Sequence, residues 1–264
     1  MNTLKSIDGT VKFIWEGYEA VLIEHTTKFS VCISSQVGCP VKCSFCATGK
    51  MGFIRNLKSE EMINQVRVVR EYFDKNYSGE KKLRTILFLG MGEPLLNQTA
   101  VKEAIFFFHN AWHYSKKNIL VSTSGHPKMA EFFEETKVKP ALSLHSARDE
   151  SRKKIIPSSI KLQTLKEQLK QLPETMIEYV MLKGINDSEE DLKALIEFCK
   201  EIETPLINLI PLNEHSQTDL KPSEIEKIET WKEKLIEAGI KTFIRKAKGQ
   251  DIGAACGMLH QEKT

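Results

Sequence analysis

The amino-acid sequence predicts an α/β protein whose core is a partial (β/α)6 TIM-like barrel. Six short β-rich runs alternate with six longer amphipathic segments, and this alternation is typical of a parallel sheet covered by helices. Six such units in roughly 210 residues fall short of the eight units and about 250 residues of a closed barrel, so we expect an open one. Catalytic groups in such barrels lie at the carboxyl ends of the strands.

The predicted strands are short apolar runs, and the predicted helices have apolar residues at helical spacing. The last helix, for example, has Ile228 and Trp231 on one face and Gly239 after its end. A final strand over 241–245 leads into a loop that contains Cys256. The six strands cover 29–34, 85–89, 118–122, 140–145, 176–182 and 206–210, and the six helices cover 58–74, 98–113, 127–135, 161–171, 188–202 and 222–238.

The chain divides into two parts in this prediction. Residues 10–24 have the pattern of a strand pair, with Glu16-Gly17 between the two strands. We therefore expect a small N-terminal β extension over residues 1–28. The barrel domain then covers residues 29–264 and ends in the C-terminal strand and the Cys256 loop.

Composition is that of an ordinary globular protein. Of the 264 residues, 41% are hydrophobic and 28% are charged, which is too apolar for a disordered chain. No run approaches the roughly 18 apolar residues of a membrane span, and residues 1–10 lack the apolar core of a signal peptide. We expect a cytoplasmic monomer without membrane contact. The net charge of +3 allows a nucleic-acid partner without requiring one.

Four of the six cysteines lie within fifteen residues, which suits a metal site better than a set of disulfides. Cys39, Cys43 and Cys46 follow the first barrel strand with the spacing C-x3-C-x2-C. Three thiolates from one loop can each hold one iron of a four-iron cluster and leave the fourth iron open to a substrate. A zinc site is the alternative. It is disfavoured because zinc sites usually have two C-x2-C pairs or a nearby histidine, whereas His25 precedes the loop by a whole strand.

Glycines and polar residues follow several predicted strands at the edge where catalytic groups are expected. In Gly90-Met91-Gly92-Glu93-Pro94, the glycines let the backbone approach a ligand closely, and the carboxylate can accept hydrogen bonds from an ammonium group. Each residue alone suits a turn, a cap or a satisfied core side chain. Together they predict a ring of polar groups suited to a ribose or a carboxylate. The other members of this ring are Ser122, Ser143, Leu144, His145 and Asn213.

Three motifs are similar to those of one family: residues 32–49, residues 90–95 and residues 250–257. Over about residues 11–260 the chain resembles the radical S-adenosylmethionine (SAM) superfamily, and specifically its RlmN/Cfr branch of RNA adenine methyltransferases. The first motif indicates the superfamily, whereas Cys32 together with Cys256 indicates the branch. The resemblance implies a barrel of the radical SAM type. It also implies one iron–sulfur (4Fe-4S) cluster and two molecules of S-adenosyl-L-methionine per turnover.

The resemblance further implies a role for each candidate residue. Cys256 would be methylated by one SAM and would pass the carbon on to adenine. Cys32 would release the product by forming a transient disulfide with Cys256, and Glu19 would accept a proton. A flavodoxin or ferredoxin would supply the electron. Metal ligands would be Cys39, Cys43 and Cys46, and SAM contacts would be Gly92, Glu93, Ser122, Ser143, Leu144, His145 and Asn213.

The resemblance therefore implies methylation of an adenine ring carbon, C2 in preference to C8, in 23S rRNA or tRNA. These carbons are not nucleophilic, so a polar methyl transfer would fail there, and radical chemistry needs a cofactor to supply it. A thiol suits the role of methyl carrier because thiolates are strong nucleophiles at neutral pH. Cys199, on an apolar helix face, is expected to be a core residue instead.

One departure from the family leaves an alternative substrate open. Family members usually have a helical accessory domain before the barrel, whereas about 28 residues precede it here, so we expect a short form that lacks this domain. The alternative is a radical SAM enzyme that acts on a nucleotide or another small molecule. Basic residues beside the Cys256 loop suit RNA, although a solvated charged face is the commoner role of such residues. They are Lys241, Arg245, Lys246 and Lys248.

Overall fold

The computed structural model describes residues 1–204 and 206–260. Within them, a sheet of ten strands has the order β1-β2-β3-β4-β7-β8-β9-β10-β11-β12, and β5 pairs with β6 in a separate two-stranded ribbon. The strands are β1 (Asn2–Lys5), β2 (Val11–Ile14), β3 (Glu19–Glu24), β4 (Phe29–Cys32), β5 (Gln36–Gly38), β6 (Phe53–Asn56), β7 (Leu83–Phe88), β8 (Ile119–Thr123), β9 (Lys139–Ser143), β10 (Met176–Met181), β11 (Ile207–Pro211) and β12 (Thr242–Ile244).

Helices connect the parallel strands and cover the sheet. None in the described part of the chain is long and apolar enough to cross a membrane. They are α1 (Ala47–Met51), α2 (Ser59–Asn76), α3 (Gln98–Asn110), α4 (Met129–Thr136), α5 (Asp149–Ile155), α6 (Leu162–Leu169), α7 (Glu189–Glu201) and α8 (Ile225–Glu237), with short 3-10 turns at Pro94–Leu96, Lys116–Asn118 and Gln250–Ile252.

The predicted fold class is confirmed. Each neighbouring pair from β4 through β7 to β12 is parallel, and six of these seven strands coincide with the six predicted runs. The seventh, β12, is the predicted final strand. Because each parallel strand must return through a crossover, the helices lie between successive strands and all the carboxyl ends meet at one edge.

The predicted strand pair over residues 10–24 forms as β2 and β3. These two strands are antiparallel, and β3 also pairs antiparallel with β4, so the N-terminal strands continue the barrel's own sheet. The division of the chain into domains at residue 28 therefore stays a prediction. Strand β1 was not predicted, because all four of its residues are exposed and no apolar alternation marks it.

The core lies on both faces of the parallel strands. On α8, Trp231 is buried and its ring lies 5.7 Å from that of Tyr179 on β10, as the helical spacing predicts. Cys199 on α7 is buried in the same core, and burial raises the pKa of its thiol to about 12. An inert apolar role for Cys199 follows.

A glycine fixes the junction between the β5–β6 ribbon and the loop of clustered cysteines. Gly38 has φ +70°, and a Cβ atom there would lie 1.8 Å from the carbonyl oxygen of Gly52. Gly184 has the same φ of +70°, but nothing lies within 4 Å of its Cβ position. These two residues therefore separate the effect of close packing from the effect of backbone conformation.

We expect Gly38→Ala to lower the free energy of unfolding by about 1–3 kcal/mol more than Gly184→Ala does. Both variants strain a left-handed backbone, but only the first also forces atoms into occupied space. Urea denaturation of the two variants measures the difference. Equal losses of stability would contradict the close contact between Gly38 and Gly52.

Candidate active site at the carboxyl ends of the strands

A cavity that opens to solvent lies at the carboxyl ends of the parallel strands. This is the edge at which barrel enzymes place their catalytic groups. Eleven of the thirteen predicted site residues line it, whereas Leu144 and Glu19 do not. The lining residues are Cys32, Cys39, Cys43, Cys46, Gly92, Glu93, Ser122, Ser143, His145, Asn213 and Cys256.

The loop of three cysteines, between β5 and α1, is held by main-chain hydrogen bonds. The Cys39 N–H donates to the Gly52 carbonyl at 3.0 Å, and the Cys46 N–H donates to the Cys43 carbonyl at 3.1 Å. The Ser44 N–H donates to the carbonyl of Ile155, at the end of α5. These bonds fix the backbone of the loop, and the three thiols face one cavity.

The three thiols fit a four-iron cluster. Burial raises the pKa of Cys39 to about 12 and that of Cys43 well above its ordinary value, so bound metal is the group that would stabilise their thiolate forms. In the described residues, no group of three or more Cys, His, Asp or Glu side chains is placed to hold a single metal ion. A cluster does not require that arrangement, because each cysteine binds a separate iron.

The segment after β7 brings Glu93 into the cavity. Gly92 has φ +99°, and a Cβ atom there would lie 2.5 Å from Cβ of Gln36, so the turn needs glycine. The Glu93 carboxylate accepts hydrogen bonds from the Ser124 N–H at 2.7 Å, the Ser124 hydroxyl at 2.9 Å and the Leu95 N–H at 3.1 Å. Burial raises its pKa, and these bonds oppose that rise. They also fix the orientation of the carboxylate.

A partly buried polar network joins β8, β9 and β10 to the residue that follows β12. The Ser122 hydroxyl donates to the Glu178 carboxylate at 3.0 Å and lies 3.3 Å from the Ser143 hydroxyl. Arg245 Nη1 donates to the other Glu178 oxygen at 2.7 Å. The sulfur of Cys256 and then the Glu178 carboxylate raise the pKa of Arg245, against the effect of burial. Arg245, predicted as part of a basic face, therefore points into the site.

His145 is neutral in this site. Its Nδ1 accepts a hydrogen bond from the Val180 N–H at 3.0 Å, and burial lowers its pKa to about 3. The proton is therefore assigned to Nε2, which leaves a donor on a ring that lines the cavity. Leu144 is fully buried, and its N–H already donates to the Glu178 carbonyl at 3.0 Å. Any contact of Leu144 with a ligand would involve its main chain.

Arg152 is a buried residue of this edge that sequence reasoning missed. Its guanidinium donates to the carbonyls of Leu144 at 3.0 Å, Ile160 at 3.0 Å and Ser124 at 2.5 Å. Burial lowers its pKa to about 10, partly offset by the sulfur of Cys43, so it stays protonated at neutral pH. Arg152 ties together the loops after β8 and β9 and places a positive charge near the cysteine loop.

The loop around Cys256 crosses from β12 to the cysteine loop. Asn213 Nδ2 donates to the Cys256 carbonyl at 2.9 Å, and the Ala47 N–H donates to the Gly257 carbonyl at 2.7 Å. Asn213 was predicted as a SAM contact, and here it also holds this loop. Cys256 itself is exposed, whereas Cys32 at the end of β4 is buried. Burial, and then the sulfur of Cys256, raise the pKa of Cys32 to about 12.

Glu19 does not line the cavity. It is buried on β3, where its carboxylate lies 3.5 Å from Nζ of Lys12. Its Oε2 atom is buried without a hydrogen-bond partner among the described residues. Burial raises the pKa of Glu19, and the Lys12 ammonium opposes that rise. A carboxylate with a raised pKa is a better proton acceptor near neutral pH than an ordinary one.

Comparisons with known proteins agree with this geometry. A sequence model of the Radical SAM superfamily matches residues 33–199. The chain is 38% identical to a dual-specificity RNA methyltransferase RlmN of Ruthia magnifica, over 96% of this chain and 75% of that protein. The chain belongs to the RlmN family of radical SAM methyltransferases. It is also 40% identical to the RlmN of Lawsonia intracellularis, over 97% of this chain and 76% of that protein.

A solved structure supports the same membership. The crystal structure of a radical SAM methyltransferase from Sphaerobacter thermophilus has a TM-score of 0.88 and 31% identity, and the match covers 98% of this chain and 80% of that one. Membership in the radical SAM superfamily implies a four-iron cluster and SAM. This disfavours the zinc alternative. The chain spans about three quarters of the length of its RlmN relatives.

Arg152→Met should destabilise the fold strongly, because three carbonyl groups would lose their donor. Each buried acceptor left unsatisfied costs about 1–3 kcal/mol, so we expect a loss of at least about 3 kcal/mol. Arg67→Met, at an exposed position on α2, is the matched control and should change stability by less than about 0.5 kcal/mol. Urea denaturation compares the two, and similar small losses would contradict the role given to Arg152.

Proposed function

We propose that this chain is a radical SAM enzyme that methylates an adenine ring carbon in RNA, C2 rather than C8, in 23S rRNA or tRNA. One observation supports this above all others. Cys32 and Cys256 come from distant parts of the sequence, yet both line the cavity that contains the three clustered cysteines. A generic cluster enzyme has no need of two further thiols there. The names of the RlmN relatives support RNA as the substrate.

When bound, the cluster supplies the electron that cleaves SAM into methionine and a 5′-deoxyadenosyl radical. Cys39, Cys43 and Cys46 would hold it. Gly92, Glu93, Ser122, Ser143, His145 and Asn213 surround the rest of the cavity and would orient SAM, with Leu144 contributing through its main chain. Glu93 and the Glu178 network are already fixed by hydrogen bonds. Little reorganisation is then needed when the ligand binds.

The two thiols would divide the transfer between them, with one SAM used to methylate Cys256 and a second to activate that methyl group. The radical from that second SAM would remove a hydrogen atom from the methyl group, and the remaining carbon radical on Cys256 would add to the adenine ring. The adduct would then lose one electron, which would return to the oxidised cluster, and the ring proton, for which Glu19 is the predicted acceptor although it does not line the cavity. Cys32 would then attack the sulfur of Cys256. The sulfur–sulfur bond forms, the sulfur–carbon bond breaks, and the electron pair of that bond stays on the carbon, which takes up a proton and becomes the methyl group.

The surroundings of the site fit this assignment. Arg245 places a positive charge beside both thiols, which favours the thiolate of the attacking Cys32 against the effect of burial. We further propose a cytoplasmic monomer that receives its electron from a flavodoxin or ferredoxin. The target adenine would have to leave its stack to enter a cavity at the strand ends.

Deletion of the gene should remove 2-methyladenosine from the organism's RNA. Separate digestion of rRNA and tRNA, followed by mass spectrometry of the nucleosides, measures this and identifies the RNA class. Complementation with the wild-type gene should restore the nucleoside, and complementation with a Cys256→Ala gene should not. An unchanged profile of both 2-methyladenosine and 8-methyladenosine would overturn the RNA assignment and favour a small-molecule substrate.

Cys32→Ala should trap a covalent adduct between the protein and its RNA, because the thiol that releases Cys256 is missing. Cys199→Ala is the matched control: it also removes a buried thiol, but one in the core. After anaerobic turnover, denaturing gels should show crosslinked RNA for the first variant alone. A double variant that also lacks Cys256 should show none, and absence of the crosslink in Cys32→Ala would contradict the covalent mechanism.

A further inference from the structure

Lys12 on β2 and Glu19 on β3 form a nearly buried pair of opposite charges. Lys12 is 7% exposed and Glu19 is 1% exposed, and Nζ of Lys12 lies 3.5 Å from Oε1 of Glu19. Charged side chains are almost never buried to this extent unless they are paired. Such a pair adds little to stability, because removing two charges from water costs at least about as much free energy as their attraction returns. Stability alone therefore does not account for its presence.

The pair lies on the same face of the sheet as Cys32, which lines the cavity. Lys12 is opposite Val21 in the register of β2 and β3, and Val21 is opposite Cys32 in the register of β3 and β4. Directly opposite residues share a face of a sheet, and so do residues two apart on one strand. Glu19, two residues before Val21, is therefore on the cavity-facing side of the sheet.

The C-terminal loop lies against both charges. Lys12 Nζ donates to the Gly253 carbonyl at 3.5 Å, and the imidazole and main-chain N–H of His260 both lower the pKa of Glu19. The residues next to Gly253 and His260 along the chain line the cavity. They are Ala254 and Leu259. The ion pair is therefore beside the segment that forms one wall of the cavity.

Glu19 depends on Lys12 for the stability of its charged form. Its Oε2 atom is buried without a hydrogen-bond partner among the described residues. Burial has the largest effect on the pKa of Glu19 and raises it, and the Lys12 ammonium is the strongest influence that lowers it, ahead of His260. An opposite charge at this distance favours the ionised form of a carboxyl group. Lys12 is thus the main counter-charge of Glu19.

The elements packed against this pair present neutral groups to it. Leu4 of β1 is opposite Lys12. On β4, Cys32 shares the face of the pair, and its thiol is neutral because burial raises its pKa to about 12. Helix α2 packs on the other face of the sheet, where the ring of Tyr72 lies 5.2 Å from that of Phe13.

Gly253 leaves the Lys12 ammonium without a competing carboxylate. Gly253 has φ +63°, and the nearest atom to a Cβ placed there would be Nζ of Lys12, at 3.5 Å. An aspartate at this position would reach Lys12 and compete with Glu19 for its charge. Asp and Asn adopt a left-handed backbone more readily than most residues with a side chain, so either can replace Gly253.

We propose that Lys12 is a positioning residue, which holds the Glu19 carboxylate ionised and oriented beside the cavity so that Glu19 can take up the proton released by the substrate ring. Lys12 keeps its own protons throughout, and the proton gained by Glu19 neutralises the carboxylate. Because Glu19 does not line the cavity, the proton would pass the C-terminal loop to reach it. This proposal rests on the proposed function, which requires a proton acceptor.

The first measurement follows the charge of Glu19 without any substrate. The full chain with its oxidised cluster is labelled with 13C at the glutamate side-chain carboxyl carbons, and NMR spectra are recorded as a function of pH. Glu19→Gln identifies the Glu19 signal by removing it. Lys12→Met removes the counter-charge, and Lys12→Arg retains it. Lys28→Met is the matched control, because Lys28 is a partly buried lysine beside β4 that donates to the Thr85 hydroxyl at 2.8 Å.

Lys12→Met should shift the titration of Glu19 upward by at least about one pH unit, because an adjacent opposite charge lowers a carboxyl pKa by about 1–3. Lys12→Arg and Lys28→Met should leave the titration unchanged. An unchanged titration in Lys12→Met would overturn the proposal. A shift in His260→Ala without one in Lys12→Met would assign the role to His260 and overturn it as well.

Replacements of Gly253 test the same point with Lys12 still in place. Gly253→Asp should shift the Glu19 titration upward, because the new carboxylate takes up the charge of Lys12. Gly253→Asn has the same shape and the same backbone strain without the charge, so it should not. Equal titrations in these two variants would contradict the proposal, even if Lys12→Met did not fold.

The second measurement is the pH dependence of RNA methylation. Lys12→Met should be about tenfold slower than the wild type near neutral pH and should recover at higher pH, where Glu19 loses its proton without help. Lys12→Arg should retain the wild-type profile. A loss of rate that is equal at every pH would indicate a merely structural role for Lys12 and overturn the proposal.

These outcomes are separable from failure of the proposed function. If the wild-type protein methylates no RNA but the Glu19 titration still depends on Lys12, the control of Glu19 by Lys12 stands and the substrate assignment fails. If Lys12→Met shifts the titration but methylates RNA at the wild-type rate at every pH, the function stands and the positioning role is wrong.

Discussion

The return of the C-terminal loop to the N-terminal strands is the constraint on which the candidate site depends. Cys32 ends β4, whereas the chain leaves the sheet at β12, which is six strands away in the sheet order. If the chain after β12 did not cross the open side of the barrel, Cys256 would lie beside β12, at the opposite edge of the parallel strands from Cys32. Hydrogen bonds at the N-terminal turn, such as that from the Ser6 hydroxyl to Asp251 at 2.6 Å, hold the crossing in place. The barrel is open, and the loop closes its catalytic end.

Two arginines, the buried Arg152 and the partly exposed Arg245, hold the other groups of the site in position. Arg152 binds main-chain carbonyls and Arg245 binds the Glu178 carboxylate, so one fixes loops and the other fixes a side-chain network. In a medium of low polarity these bonds are stronger than in water, and an unpaired member would be expensive to bury. The orientation of the ligand-facing groups is therefore determined during folding rather than at binding. An electrostatically preorganised site is the result.

Sequence patterns predicted the parallel strands and the cysteine loop well, because burial on both faces and fixed spacing leave clear local signals. They missed β1, the β5–β6 ribbon and α5. The residues of β1 and β6 are exposed and most of those in α5 are charged, whereas β5 is buried but only three residues long, too short for a pattern. Arg152 was missed with α5. The sequence did mark Glu178 as a candidate site residue, because it is a charged residue inside the apolar strand β10. Asn213 shows another limit: its bond to the Cys256 loop joins residues 43 positions apart, which spacing alone does not encode.

The bonds that close the site are among those with the greatest sequence separation in the molecule. Ser6 and Asp251 are 245 residues apart, and the bond from Thr48 to Leu259 spans 211 residues. Forming a contact of this kind costs the most loop-closure entropy, because the chain segment that it closes is the longest. Neighbouring strand–helix–strand units close over much shorter segments. From this topology we expect the barrel units to come together first. The cavity that joins Cys32 to Cys256 would be completed last, when almost the whole chain has been synthesised.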